Sequence, residues 1–266
     1  MEELARALVE AQEQGLETAV CMVIQSTGST PREQGSKMLV YKDGHISGTV
    51  GGGEMEERVI EEALASMVDG KTRLLHYDLV DPARGDPGVC GGEVDVYVEP
   101  VLPKPRLLIV GAGHVGKALA HLAKSLDFRV LVSDDRPEYC NPQEVPDGDE
   151  FYPMTMDELV RQVPIDPRTY VALVTRNMQV DVSALPLILQ SHAAYVGVIG
   201  SRRRWALTRK ALEEAGVSEE DLNMVHSPIG LSIGAETPQE IAVSIMAEII
   251  GVKSGIKADA VSMKEA

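Results

Sequence analysis

Aromatic residues are scarce in this chain of 266 residues: they make up 4%, with two Phe and one Trp. Platforms that hold single-stranded nucleic acid stack bases on aromatic side chains, and the material for one is missing. Positive charge is also short. Lys and Arg number 25 against 41 Asp and Glu, a net charge of −16, which repels polyanions at long range. No nucleic-acid partner and no anionic membrane surface is expected, and an anionic ligand has to be caught locally, by loops and helix ends. No run approaches the roughly 18 apolar residues of a membrane span. Cys21, Cys90 and Cys140 form an odd set without CxxC spacing. Neither a disulfide framework nor a zinc knuckle is indicated, and a reducing cytoplasm is the expected compartment. The N-terminal run MEELARALVEAQEQG lacks a basic segment followed by an apolar stretch, so it is not read as a signal peptide.

What is present is a chain 44% hydrophobic and 25% charged, long enough for two modest cores. Pro100, Pro103 and Pro105 fall close together, where they forbid a helix and interrupt sheet pairing. A boundary there separates a domain over 1–100 from one over 105–266. Upstream, apolar spacing predicts a helix over 2–14, a buried strand over 18–25 and a helix over 54–67. Asp43-Gly44 predicts a hairpin joining 37–42 to 45–50, and two more strands are expected around 72–77 and 93–98. Downstream, short apolar strands at 106–110, 129–133, 170–175 and 195–199 alternate with helical stretches, the pattern of a parallel sheet with helices on both faces. The expected fold class is therefore α/β: a small mixed α/β N-terminal domain followed by a Rossmann-like doubly wound domain. Thr237, Pro238 and Glu240 predict the start of a last helix, with Gly251 as its stop. The isoleucines 241, 245 and 249 on one face suit core packing, and would also suit a homodimer interface.

Gly111-Ala112-Gly113-His114-Val115-Gly116 has G-x-G-x-x-G spacing between an apolar strand and an Ala- and Leu-rich helix. In that context Gly111 permits the tight turn, Gly113 lets a pyrophosphate approach the backbone, and Gly116 lets helix and strand pack closely. Asp134 follows Gly111 by 23 residues, about where a carboxylate meets a ribose diol, which favours an unphosphorylated ribose. NAD is one candidate ligand, and an NAD-dependent oxidoreductase acting on a small molecule is the alternative reading. His192 and His226 are available to such an enzyme, but neither sits in a recognisable catalytic motif. Gly200-Ser201-Arg202-Arg203-Arg204 follows a predicted strand, so Ser201 can cap the next helix and Arg202 can meet phosphate. Helical rotation predicts one inward arginine and two solvated ones.

Three glycine-containing loops punctuate the first half, at 28–32, 51–53 and 88–92. Gly51, Gly52 and Gly53 precede a predicted helix, and backbone amides in such loops can converge on one anion, with Arg32 as a clamp on phosphate. Cys21 is expected in the core and Cys140 in a loop. Cys90, beside Gly91 and Gly92, is placed to meet molybdenum or a sulfur-bearing ligand.

At these residues the chain resembles the XdhC/CoxI family, accessory proteins of molybdenum hydroxylases such as xanthine dehydrogenase. The strings that carry the resemblance are GSTPR at 28–32, GSKM at 35–38, GTVGGG at 48–53, CGG at 90–92, GAGHVG at 111–116, DDRP at 134–137, YVGVIGSR at 195–202, PIGL at 228–231 and IGAETP at 233–238. The resemblance implies a chaperone, not a turnover enzyme. Such a protein binds the molybdenum cofactor, as molybdopterin or its dinucleotide form, shelters it while a cysteine desulfurase supplies sulfur, and delivers it to the hydroxylase. In that reading Arg32 and the first-half loops hold the pterin and its phosphate, Cys90 faces the metal, and the 111–116 turn takes the nucleotide end. Many members have Cys after the triple glycine where this chain has Glu54, which leaves Cys90 as the one motif cysteine.

Overall fold

The computed structural model describes residues 2–81, 83 and 85–256. It divides into two compact units, Met1–Pro103 and Lys104–Ala266.

In the first unit, α1 (Glu2–Glu13) leads into β1 (Thr18–Thr27), β2 (Lys37–Tyr41), β3 (Ile46–Gly48), α2 (Gly53–Asp69), β4 (Arg73–Leu79) and β5 (Gly92–Val101). The sheet is antiparallel throughout, in the order β3-β2-β1-β5-β4. Met55, Val59, Ala63 and Met67 of α2 recur at helical spacing and are buried against Ala19, Cys21 and Val23 of β1 and Val94, Val96 and Val98 of β5. Alternation along those strands gives each a core face. The proline seam differs from expectation in one respect. Pro100 lies within β5, opposite Ala19 of β1. Its missing N–H costs nothing on the other side, because β4 ends its pairing at Arg73 opposite Val98.

The second unit runs β6 (Arg106–Val110), α3 (His114–Ser125), β7 (Arg129–Ser133), β8 (Glu150–Tyr152), α4 (Met156–Gln162), β9 (Thr169–Leu173), α5 (Met178–Leu189), β10 (Tyr195–Val198), α6 (Arg202–Glu214), α7 (Glu219–Asn223) and α8 (Pro238–Lys253). All pairings are parallel, in the order β10-β9-β6-β7-β8. Strand alternation splits the core into two layers. Leu107 and Ile109 of β6 pack with Leu119 and Ala123 of α3 and Ile245 and Ile249 of α8. Leu108 and Val110 face Leu159 of α4, Leu185 and Ile188 of α5 and Leu212 of α6. Helices thus cover both faces, as a doubly wound sheet requires.

One local expectation is corrected. Helix α8 runs through Gly251 to Lys253, with Ser254 as its cap. One glycine costs a helix only about 1 kcal/mol, and the packed face of α8 sustains it. Cys140 lies in the loop between β7 and β8, as expected, and is buried there, with its thiol donating to the Val132 carbonyl at 3.3 Å. Burial pushes it up from the usual thiol range, and the same cause raises Cys21 to about 12. Among the described residues no helix is long and apolar enough to cross a membrane.

Candidate functional site

The antiparallel order of the first unit puts the end of β1, the start of β2, the end of β4 and the start of β5 at one edge, so the three glycine loops emerge together. They also touch. A Cβ on Gly28 would lie 2.9 Å from the Gly91 carbonyl oxygen, and one on Gly51 would lie 3.2 Å from Pro31 Cβ. Gly92 is hemmed in by the Thr27 and Ser29 carbonyls. Cys90 is exposed at this edge, and Arg32 is exposed on the neighbouring loop.

The triple glycine, however, is not a set of idle donors. Gly51 donates its amide to the Thr49 hydroxyl at 3.1 Å, and Gly52 donates to the Glu56 carboxylate at 3.2 Å. Glu56 also accepts from Val50 N–H at 3.1 Å and from the Thr49 hydroxyl. A carboxylate one turn into α2 therefore fixes the loop and occupies the amides of Gly51 and Gly52, which corrects the expectation that they meet an anion. Gly53 opens α2 itself, and Gly52 supplies no capping side chain there. Among the described residues, no group of three or more His, Cys, Asp and Glu side chains is placed to hold a metal ion.

In the second unit β6 is flanked by β7 and β9, so the order in which successive strands are added reverses beside β6 and a crevice opens at the carboxyl ends of these parallel strands. The three fingerprint glycines have different surroundings. Gly111 has φ +115 and packs so that a Cβ would stand 2.7 Å from the Val174 carbonyl oxygen. A Cβ on Gly116 would overlap the Gly111 carbonyl oxygen. Gly113 is the N-cap of α3 with φ −77 and ψ −167, a conformation open to any residue. Nothing lies within 4 Å of the place its Cβ would occupy. Neither backbone nor packing requires glycine at 113. What it provides is room beside the uncapped start of a helix, where anions are held.

Asp134 is buried, with a side-chain exposure of 3%, and its carboxylate is engaged from several sides. It accepts from Ala112 N–H at 2.9 Å, and from Arg136 N–H at 3.1 Å, Nε at 2.9 Å and Nη2 at 2.9 Å. This corrects the expectation of a carboxylate free for a ribose: Asp134 ties the glycine turn to the end of β7. Burial opposes its ionised form, but the Arg136 and Ala112 hydrogen bonds outweigh it and hold Asp134 below the usual carboxylate value. A lowered folded-state pKa contributes stability above the unfolded value of about 3.9 that is lost as pH falls. Asp134→Asn is therefore expected to lower the urea midpoint at neutral pH and to converge on wild type in acid. Parallel curves would show that the charge contributes nothing.

Next to it, Asp135 accepts from Arg176 Nη1 and Nη2 at 2.6 and 2.8 Å, and that guanidinium holds Asp135 below the usual carboxylate range. Both side chains are 41% exposed, at the edge of a cleft of about 100 Å³ lined by Val110, Met154, Met156, Val180 and Ser183 among others. Ser201 caps α6 by accepting from Arg204 N–H at 3.2 Å. Arg202, expected at a ligand, is exposed with Arg203. The inward arginine is Arg204, because it curls over Gly200 to reach Thr175 Oγ1 at 2.9 Å and Asp181 at 2.5 Å. Asp181 is fully buried, and burial pushes it above the usual range despite the Thr175 and Arg204 contacts. His226 is committed elsewhere, 3.3 Å from Glu248 and against the Tyr195 ring. Neither it nor His192 lines the cleft.

Sheet order, helices on both faces and a glycine turn entering α3 define a Rossmann-type domain. Residues 107–249 match the XdhC Rossmann domain, and residues 11–78 match the XdhC and CoxI family. The chain belongs to the XdhC and CoxI family. It is 38% identical over 91% of its length to the Escherichia coli K12 protein YqeB, of which the match covers 45%. It is 32% identical over 61% of its length to a Bacillus subtilis protein named as a probable xanthine dehydrogenase subunit, covering 47% of that protein. The chain thus spans about half the length of these two relatives. The E. coli K12 molybdenum cofactor insertion chaperone PaoD is 23% identical over 94% of this chain and 88% of its own. A solved Bacillus halodurans structure, described as a xanthine dehydrogenase, shares the fold with a TM-score of 0.52 at 24% identity, covering 97% of each chain.

Proposed function

We propose that this protein carries the molybdenum cofactor, shelters it during sulfuration by a cysteine desulfurase, and hands it to a molybdenum hydroxylase of the xanthine dehydrogenase type. Family membership and the likeness to an insertion chaperone support this reading. The observation that carries it is the open space at Gly113, which leaves the start of α3 accessible to a phosphorylated guest. The cofactor is cargo here, and the chain's own residues bind and orient it. The α3 start and its turn take the phosphorylated end. The first unit, taken by itself, exposes on its glycine loops an Arg32 guanidinium suited to phosphate and a Cys90 thiol suited to a soft metal or a sulfur-bearing group. Because the amides of Gly51 and Gly52 are taken by Thr49 and Glu56, those loops contribute shape and the exposed side chains they carry.

Cys90→Ser tests the thiol's part. The side chain is exposed, so the variant is expected to fold as wild type yet to lose most activation of the apo-hydroxylase in a reconstitution with desulfurase and molybdenum cofactor. Unchanged activation would remove the thiol from the account.

A further inference from the structure

Helix α6 begins directly after β10, at the carboxyl edge of the parallel sheet, and so at the same edge as the open start of α3. Its inward face has a structural account. Thr208 and Leu212 are buried, Trp205 packs against the core, and Arg204 is held by Asp181. The outward face has none. Arg202, Arg203, Ala206, Leu207 and Lys210 are exposed, Leu207 at 54%, and helical rotation gathers these positions into one stripe about 12 Å long. Folding does not explain its charges. A helix start is the positive end of the helix dipole, where cations are destabilising, and the first turn of α6 holds no acid to offset them. Among the described residues neither Arg202 nor Arg203 has an ion-pair partner, whereas Arg136, Arg176, Arg204 and Arg209 of the same unit each reach a carboxylate.

The stripe defines the chemistry of what covers it. Guanidinium groups grip carboxylates through paired, charge-assisted hydrogen bonds. Ala206 and Leu207 place a dry patch between the two arginines and Lys210, whose tie to Glu214 is a loose 3.9 Å. The complementary surface is therefore acidic with an apolar side chain among its carboxylates. A second copy of this chain is a poor occupant, because two molecules of charge −16 repel at long range, and the same charge disfavours nucleic acid and anionic bilayers. A recipient of the guest is a good one. A molecule leaving the start of α3 emerges at this edge, so a protein that takes it has to approach here. We propose that the outward stripe of α6 is the docking surface for the hydroxylase, and that it holds an acidic segment of that protein in which carboxylates flank an apolar side chain. The identity of the partner rests on the carrier reading above; the acidic and apolar character of its surface rests on the stripe alone.

The test is biosensor binding of the full chain, purified from a molybdate-fed host, to the immobilised apo-hydroxylase of the same organism at about 50 and 200 mM salt. Wild type is expected to bind about tenfold more weakly at the higher salt. Arg203→Glu should slow association and lower affinity about tenfold at low salt, with a shallower salt dependence. Leu207→Gln should speed dissociation several-fold, to roughly threefold or more, and keep the wild-type salt dependence. Arg6→Glu, the same charge change on an exposed face of α1, should stay within about twofold of wild type. The melting temperature of Arg203→Glu should equal or exceed that of wild type, since an acid in the first turn favours the helix, and its molybdenum and pterin content should be unchanged. Weaker docking by a chain that is no less stable is a result that a structural role would not give. Wild-type binding by Arg203→Glu, an equal loss in Arg6→Glu, or no binding by wild type would each overturn the proposal. So would an altered oligomeric state of Arg203→Glu alone, which would make the stripe an interface between copies. The two readings fail separately: a wild type holding neither molybdenum nor pterin contradicts carriage whether or not it docks, whereas a loaded wild type that docks independently of Arg203 removes only the docking surface.

Discussion

Gly113→Val is expected to leave the fold intact and to abolish retention of the phosphorylated guest. The backbone at 113 is already extended, which a β-branched residue tolerates, and no atom lies within 4 Å of the new Cβ. The thermal midpoint should therefore stay within the scatter of ordinary surface substitutions, on the order of 0.5 kcal/mol. Binding depends on close approach of an anion to the α3 amides, and the isopropyl group would stand in that approach. Cofactor content and nucleotide affinity are both expected to fall by at least about 100-fold, as when a charge-assisted hydrogen-bond set is lost, roughly 3 kcal/mol. The neighbouring glycines give the contrast. Gly116→Ala would force α3 away from the Gly111 carbonyl and lower stability by about 1–3 kcal/mol through overpacking. If Gly113→Val binds as wild type does, the guest does not sit at this turn.

The second large effect concerns stability. Asp181→Asn should destabilise the protein by about 3 kcal/mol, because it leaves the Arg204 guanidinium without its charge partner. The pair joins α5 to α6 beneath the crevice, and Arg204 Nε is already buried without a partner. Burial lifts Asp181 above its usual value even beside Arg204, so the ionised pair does not recover its full desolvation cost. The double variant Asp181→Leu with Arg204→Met is accordingly expected to regain most of the loss, to within about 1 kcal/mol of wild type. Urea unfolding of Asp181→Asn, of the single variants Asp181→Leu and Arg204→Met, and of the double variant measures both steps. A double variant that loses the sum of the single effects would show that the pair is a net source of stability.

Features with local causes are legible in the chain. The strand, glycine turn and helix at 106–125 follow from apolar runs and fixed glycine spacing, and Thr237, Pro238 and Glu240 form the capping box they predict. Strand β8 leaves little trace in the sequence, since Glu-Phe-Tyr is too short for periodicity to register, and the 7-residue α4 is signalled by its Thr155–Glu158 capping box rather than by periodicity. Helix α5 tolerates Pro186 in its interior because Leu185, Ile188 and Leu189 are buried in the core. The state of Asp134 depends on Arg136 and on Ala112, which is distant in the chain, and spacing from Gly111 says nothing of competing donors. Helical rotation predicts one inward arginine of three, but its identity as Arg204 depends on a carboxylate in α5. Glu56 is the residue sequence reasoning misses. Its signal is an acidic side chain one turn after the glycines, which can reach back to their amides as capping carboxylates do.

The most direct measurement is the molybdenum and pterin content of the full chain purified from a molybdate-fed host, wild type beside Gly113→Val. Stoichiometric molybdenum and pterin in the wild type, with both lost from an equally stable Gly113→Val, is the predicted result. Wild-type protein that folds and purifies with neither would contradict the account.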